Sequence, residues 1–358
     1  MTKEKASYRV LGMMSGTSLD GLDMALCTFR FKNGRYTYFI EKALTLPYPK
    51  KISAMLQKAY SDGGRELVKL HLEYGSYLGD CARDFLQNQQ VDFIASHGHT
   101  VFHQPNEGYT FQLGNGRALA QAANCPVICD FRTADVLKGG EGAPLVPIGD
   151  KLLFPDYAAC MNLGGYSNIS LSRGTSQPAF DLMPFNVILN RLAQRAGKPY
   201  DAGGNLAKSG SCISNLYKDL EALNLHPQAG QKSLGTEWTQ QFYLPVLREY
   251  ENKRSPADLL NTATQFAAFQ ISEVLDREVG TGRVLVTGGG AKNTFFIEQL
   301  SAKTTASIHV PDNPLTDFKE ALIFAFLGVL RHRGEINVLR EATGASESHC
   351  AGEMYAVC

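Results

Sequence analysis

Two hydrophobic periods alternate along this chain. Alternating and continuous apolar runs over 8–13, 22–29 and 36–45 predict three strands, the first two joined by the turn Ser15-Gly16-Thr17-Ser18. Between 50 and 90 the spacing becomes helical, with Ile52, Met55, Leu56 and Ala59 followed by Leu67, Leu70, Tyr74, Leu78 and Phe85. A short buried strand over 91–96 is expected to end at His97-Gly98-His99. Another strand lies over 111–113, then a helix from about 116 to 123, and a strand over 125–130 that ends at Asp130-Phe131-Arg132.

After the loop Gly139-Gly140-Glu141-Gly142-Ala143-Pro144 the pattern restarts. Strands over 158–163 and 168–172 flank a Gly-Gly turn, and 179–181 is short and extended. Helical spacing covers 187–196, 204–224 and 255–279. A strand over 284–287 runs into Gly288-Gly289-Gly290, followed by a helix over 293–303, a strand over 307–310 and a helix over 319–333. The tail, 338–358, is polar and shows no clear period. Each half thus begins with a strand, a Gly-bearing turn and a strand, and then alternates strands with helices. That predicts an α/β fold, and the echo points to a duplicated domain. A length of 358 residues fits two domains.

Composition narrows the class. Lys plus Arg number 35, as do Asp plus Glu, so bulk electrostatics give no reason to expect a nucleic acid or an acidic membrane as partner. The opening MTKEKASYRV has no apolar run of signal-peptide length, and the longest apolar run, 321–330, is about half what a spanning helix needs. A cytoplasmic protein is expected. The eight cysteines are scattered; Cys125 and Cys129 form a weak zinc signal, and buried reduced thiols are the better reading. Gly reaches 34 residues, above the usual ~7%.

Three Gly-bearing turns carry the candidate chemistry. In the stretch from Leu11 to Asp23, backbone N–H groups and hydroxyls can converge on one spot, a nest suited to phosphate oxygens. Asp20 and Asp23 flank it and could hold magnesium through water; a plain hairpin turn is the competing reading. Around Gly164-Gly165, Asn162, Ser167 and Asn168 offer more hydrogen-bonding groups than a simple turn needs. Gly288-Gly289-Gly290, between a strand and a helix, would let backbone approach a flat or anionic ligand closely. Asp181 ends a short strand and is a candidate general base, with a turn or cap role as the alternative. His97, His99 and His103 fall within one short stretch, where hydrogen bonding to a small polar molecule or core packing outweighs metal binding. Arg132 can fork onto a carboxylate or phosphate, or pair with a structural Asp.

Taken in order, Met14-Ser15-Gly16-Thr17-Ser18-Leu19-Asp20-Gly21, Ser96-His97-Gly98, Asp130-Phe131-Arg132, Gly139-Gly140-Glu141-Gly142-Ala143-Pro144-Leu145-Val146-Pro147, Lys198-Pro199-Tyr200-Asp201, Gly288-Gly289-Gly290 with Asn293, Glu320-Ala321 and Thr343-Gly344-Ala345-Ser346 closely resemble the anhydro-N-acetylmuramic acid kinase family. The resemblance spans nearly the whole chain. It implies the sugar kinase–Hsp70–actin fold: two RNase H-like domains with a cleft between them, one built from 1–128 with about 315–358, the other from about 129–314. It implies ATP and magnesium as cofactors, a small amino-sugar acceptor, and compatibility with a homodimer. The implied reaction opens the anhydro bridge of 1,6-anhydro-N-acetylmuramic acid with water and phosphorylates O6, as part of peptidoglycan recycling.

By the same resemblance Asp181 is the catalytic base and Glu320 lies near sugar and water. His97 and Arg132 lie on the substrate side. The nucleotide-binding positions are Gly16, Thr17, Ser18, Leu19, Asp20, Gly21, Leu22, Asp23, Asn162, Gly164, Gly165, Gly288, Gly289, Gly290 and Asn293, with Asp20 the water-mediated magnesium position. The chain departs from the family pattern at Leu182, where a hydroxyl is usual, at Met183 and Phe185, where small residues are usual, and at His99, Phe102 and Thr236. These changes predict a different sugar-side wall. They leave two alternatives open: a kinase for another anhydro or amino sugar, and a catalytically silent nucleotide-binding relative.

Overall fold

A computed structural model describes residues 5–16, 19, 21–174, 177–223, 225, 234, 236–312 and 314–357. The chain divides into two compact units, Met1–Leu153 with Phe318–Cys358, and Phe154–Asp317.

The first unit is built on a seven-stranded mixed sheet. Its strands are β1 (Ser7–Ser15), β2 (Leu22–Lys32), β3 (Arg35–Leu46), β4 (Phe93–Gln104), β5 (Tyr109–Leu113) and β6 (Val127–Cys129), with β12 (Glu353–Tyr355) from the tail. The order is β12-β6-β4-β1-β2-β3, with β5 paired to β4. β1, β2 and β3 form an antiparallel meander, while β4 runs parallel to β1 and β6 parallel to β4. Helices α1 (Lys50–Lys58), α2 (Gly64–Leu86), α3 (Gly116–Ala123), α4 (Thr133–Leu137) and α5 (Pro147–Leu153) complete the N-terminal part.

The second unit holds a five-stranded sheet, β11-β10-β7-β8-β9. Its strands are β7 (Ala159–Leu163), β8 (Tyr166–Leu171), β9 (Ala179–Pro184), β10 (Arg283–Thr287) and β11 (Ser307–His309). Again three strands form an antiparallel meander and two run parallel to the first of them. With β5 and β12 set aside, the two sheets share one order, third-second-first-fourth-fifth, which is the duplication the sequence echo anticipates. Helices α6 (Asn186–Gln194), α7 (Asn205–Ser209), α8 (Ser214–Glu221), α9 (Thr236–Trp238), α10 (Leu244–Glu251), α11 (Pro256–Glu278) and α12 (Thr294–Ser301) belong to this unit. α11 is its central helix. Ser255 caps it by accepting the Asp258 N–H, Pro256 opens its first turn, and Leu259, Leu260, Phe266, Ile271 and Leu275 are buried along it.

The last long helix, α13 (Leu315–Arg333), loses helical geometry at Phe318 (φ −114°, ψ 17°), where the chain returns to the first unit. From there α13 lies on β1 and β4. A Cβ on Gly12 would overlap the Ala321 carbonyl, and one on Gly328 would meet Ala95 and Phe93. Leu322 through Leu327 are all buried.

Three boundaries differ from those read in the sequence. The first unit extends to Leu153 rather than 128, because β6 is followed by α4 and α5, which pack within that unit. β4 does not stop at residue 96. It runs through the histidines to Gln104, because β5 supplies an antiparallel partner for its far half. The tail is ordered rather than patternless: α14 (Arg340–Thr343) and β12 form, with Glu353, Met354 and Tyr355 pairing Cys129, Ile128 and Val127. Such pairing is non-local and leaves no periodic trace.

Candidate active site

In the first unit, the predicted residues gather at the C-terminal ends of the parallel strands. β1 ends at Ser15, and the Leu19 N–H closes the turn on the Gly16 carbonyl at 3.3 Å, with Leu19 at φ +59°. Thr17, Ser18 and Asp20 lie outside the described residues. Gly21 has a packing role, since a Cβ there would strike the Leu46 carbonyl on β3. Leu22 is buried in the core, so only its backbone can serve a ligand. Asp23 accepts the Thr45 hydroxyl at 2.6 Å.

Sequence reasoning missed the network behind this turn. Tyr48 donates to Ser15 Oγ at 2.7 Å, Tyr74 lies 2.8 Å from Tyr48, and Ser15 Oγ shares a hydrogen bond with His99 Nδ1 at 3.0 Å. His99 is fully buried, and burial holds its pKa down at about 4. Its role is to hold the end of β1, not to line a sugar wall.

His97 and Arg132 do come together. Arg132 Nε–H donates to His97 Nε2 at 3.0 Å, so that nitrogen is unprotonated and Nδ1–H donates to the Gly98 carbonyl at 2.9 Å. Burial, then the Arg132 charge, keeps His97 neutral, well below its ordinary range. Arg132 also donates to the Gly142 carbonyl at 2.8 Å, and burial lowers its pKa to about 10 against the pull of Glu320 and Asp135. Beside His97, Gly98, Phe111, Gln112 and Asp130 lies a cavity of about 130 Å³.

Glu320 stands at the start of the helical stretch that Gly12 admits onto β1. Burial, then the Asp23 carboxylate, raises its pKa, while Lys319 and Arg132 oppose the rise. Lys319 itself forms a buried ion pair with Asp150 at 2.7 Å. Sequence reading did not assign that pair.

In the second unit, the β7–β8 hairpin and the β10 turn pack against each other. Gly288, at φ +87°, fits only because it has no Cβ, which would strike Asn162 Oδ1 and Leu163; Gly290 lies against Phe185 and Leu163. Gly289 is different: it is exposed, and a Cβ there would meet nothing. The Gly164 and Gly165 carbonyls accept backbone N–H groups from 185–187, which ties the hairpin to the start of α6. Asn293 caps α12, its Oδ1 accepting the Phe296 N–H at 3.0 Å.

Asp181 sits on β9 opposite Asn168, and its Oδ2 accepts the Leu234 N–H at 2.8 Å. Asp201, from the Lys198-Pro199-Tyr200-Asp201 run, accepts the N–H groups of Leu206 and Ala207, and the adjoining Gly203 carbonyl accepts the Thr294 hydroxyl. The run thus braces the loop beside α12, a role its residue types alone did not reveal.

The bulky residues after Asp181 correct one expectation. Leu182, Met183 and Phe185 are all buried in the core of this unit, with Phe185 packed edge-on against Phe296 at 4.6 Å. They fill the interior and form no sugar-side wall.

The profile of the family described as anhydro-N-acetylmuramic acid kinase matches residues 8–357. The chain belongs to that family. It is therefore an enzyme, a sugar kinase. Relatives bearing the name anhydro-N-acetylmuramic acid kinase include one from Pseudomonas putida, 35% identical over 96% of this chain and 98% of that protein. Another, from Variovorax paradoxus, is 33% identical over the same shares. Among solved structures, the activator of the 2-hydroxyisocaproyl-CoA dehydratase from Clostridium difficile overlaps with a TM-score of 0.44 at 15% identity, covering 91% of this chain and 97% of that one. A ROK family protein from Streptococcus pneumoniae overlaps with a TM-score of 0.36 at 12% identity, covering 91% and 99%. The fold assignment made above rests on the two sheets themselves. Among the described residues no helix is long and apolar enough to cross a membrane.

Proposed function

We propose that this kinase converts 1,6-anhydro-N-acetylmuramic acid, ATP and water to N-acetylmuramic acid 6-phosphate and ADP in the cytoplasm. Two RNase H-like domains, close to the two compact units, would carry the reaction. The observation that supports this best is the family match, which runs from residue 8 to 357 without leaving either unit out.

Two bonds change. Water adds at the anomeric carbon, the bridging C1–O bond breaks, and its oxygen is left as O6. O6 then forms a bond to the γ-phosphorus of ATP while the bond to ADP breaks, and one proton is released overall. Asp181 is assigned as the base that takes a proton from the attacking water, its carboxylate oriented by the Leu234 amide. Glu320 holds the sugar and the water, and its raised pKa suits a group that exchanges a proton. His97 and Arg132 bind the acceptor, with the neutral imidazole and the guanidinium locked together. The cavity beside them has room for part of a small polar acceptor.

For the nucleotide, the β1–β2 turn and the Asn162, Gly164 and Gly165 hairpin are the phosphate-facing backbones, and exposed Gly289 is the position open to the base and ribose. No group of three His, Cys, Asp or Glu side chains gathers for a metal among the described residues. Magnesium, if carried on the nucleotide phosphates, needs only one or two carboxylates plus water; Asp20 and Asp23 are the acids at that turn. Bound there, it neutralises phosphate charge during transfer.

The proposal is tested by coupled ADP release with 1,6-anhydro-N-acetylmuramic acid and product mass. Wild type should yield a product one water heavier than simple phosphorylation would give. Asp181→Asn should lose turnover by at least about a thousandfold while still binding ATP. Retained turnover in that variant would remove the role assigned to Asp181. Since Leu182, Met183 and Phe185 are core residues, the reason that segment gave to expect a different sugar is gone.

A further inference from the structure

We propose that Thr343, in the C-terminal tail, is a positioning residue for acceptor binding, acting through Asp135 and the 139–144 loop on Arg132. The inference rests on the assignment of Arg132 and His97 to the acceptor side.

The link begins at a carboxylate with no solvent exposure. Asp135 Oδ1 accepts the Thr343 hydroxyl at 2.8 Å, and its Oδ2 accepts the Gly142 N–H at 2.7 Å. A buried carboxylate is tolerated only with such donors. His349 Nε2, at 3.8 Å from Oδ1, is beyond hydrogen-bond distance. The far side of the same peptide stretch holds the arginine: the Gly142 carbonyl accepts from Arg132 Nη1 at 2.8 Å, and Arg132 Nε reaches His97 at 3.0 Å. Backbone bonds tie tail and loop as well, from Glu141 N–H to the Thr343 carbonyl and from Ser346 N–H to the Lys138 carbonyl. Gly140 lets the two approach, since a Cβ there would run into Asp135 and Ala345.

The backbone bonds survive replacement of the Thr343 side chain; the hydroxyl bond does not. Without it Oδ1 loses its hydroxyl donor, Asp135 turns toward other partners, and Gly142 is freed to shift. Arg132 then loses its fixed fork. Ordering of the acceptor weakens, while the nucleotide turns, built on other elements, are untouched.

The test is steady-state kinetics on the full chain with both substrates varied. Thr343→Val should raise KM for the anhydro sugar about tenfold, leave KM for ATP unchanged and leave kcat close to wild type. Thr343→Ser should restore the wild-type value. Amide hydrogen exchange over 139–144 should quicken in the valine variant. Should Thr343→Val not fold, Thr343→Ala is measured in the same way. A folded variant with lowered thermal stability but an unchanged acceptor KM would overturn the proposal, as would an equal rise in both KM values. Arg132→Ala is run alongside. If it leaves the acceptor KM unchanged, the assignment of Arg132 fails and the proposal with it; if Arg132→Ala raises that KM and Thr343→Val does not, only the tail's role fails.

Discussion

Three consecutive glycines after β10 illustrate how one motif mixes two needs. Gly288 has a left-handed backbone and sits against Asn162 and Leu163; Gly290 sits against Phe185. Both are required by packing, and a side chain at either must displace backbone or a buried ring. Gly289 has open space where its Cβ would be. Folding thus places no demand on it, and its lack of a side chain is left to be explained by a ligand. Gly289→Val should keep the wild-type melting temperature and weaken nucleotide binding about tenfold by calorimetry. Gly290→Ala should lower the melting temperature by several degrees. An unchanged nucleotide Kd for Gly289→Val would make the whole turn structural. The same distinction applies to Gly21 and Asn293. One is required by the approach of β3, and the other caps a helix.

At the level of elements, α13 is the piece that ties chemistry to packing. Its residues Leu322, Phe324, Phe326 and Leu327 are buried, and the Ala321 carbonyl lies against Gly12 of β1. Glu320 immediately precedes that contact, so the distance between helix and strand sets where its carboxyl sits. Gly12→Ala should push the helix outward and cost about 2 kcal/mol, read from the urea midpoint. It should also reduce turnover, because Glu320 moves with the helix. Loss of stability with full turnover would show that Glu320 tolerates displacement. Helical spacing had marked α13 from 319, although the helix begins at Leu315 and is interrupted at Phe318. A break of that kind has no signature in apolar spacing.

Across the whole molecule, the first unit is assembled from both ends of the chain, and the second is continuous. A chain ended after Asp317 would lack all but the first three residues of α13, together with α14 and β12, and with them much of the first unit's core. The second unit keeps its sheet and its own cluster around α11. Hydrogen exchange on this truncated chain should find amides of 154–317 protected and those of 7–153 largely unprotected. Protection across both would mean that the N-terminal strands and helices suffice for a core.

The sequence by itself determined the α/β class, the echo of two Gly-turn hairpins and the family, and through the resemblance it named Asp181, Glu320, His97 and Arg132 as candidates. These follow from local periods, turn chemistry and motif order, all of which a linear string records. It also misled. The bulky run Leu182, Met183 and Phe185 read as an altered wall, because a string does not show that consecutive residues at the end of β9 are all covered. Tertiary structure alone decided that they point into the core. It alone joined Ser15 to His99 and Tyr48, Lys319 to Asp150, and Thr343 to Asp135. Those partners are far apart in the chain, and each bond exists because a buried polar group must find a donor or acceptor wherever the fold brings one.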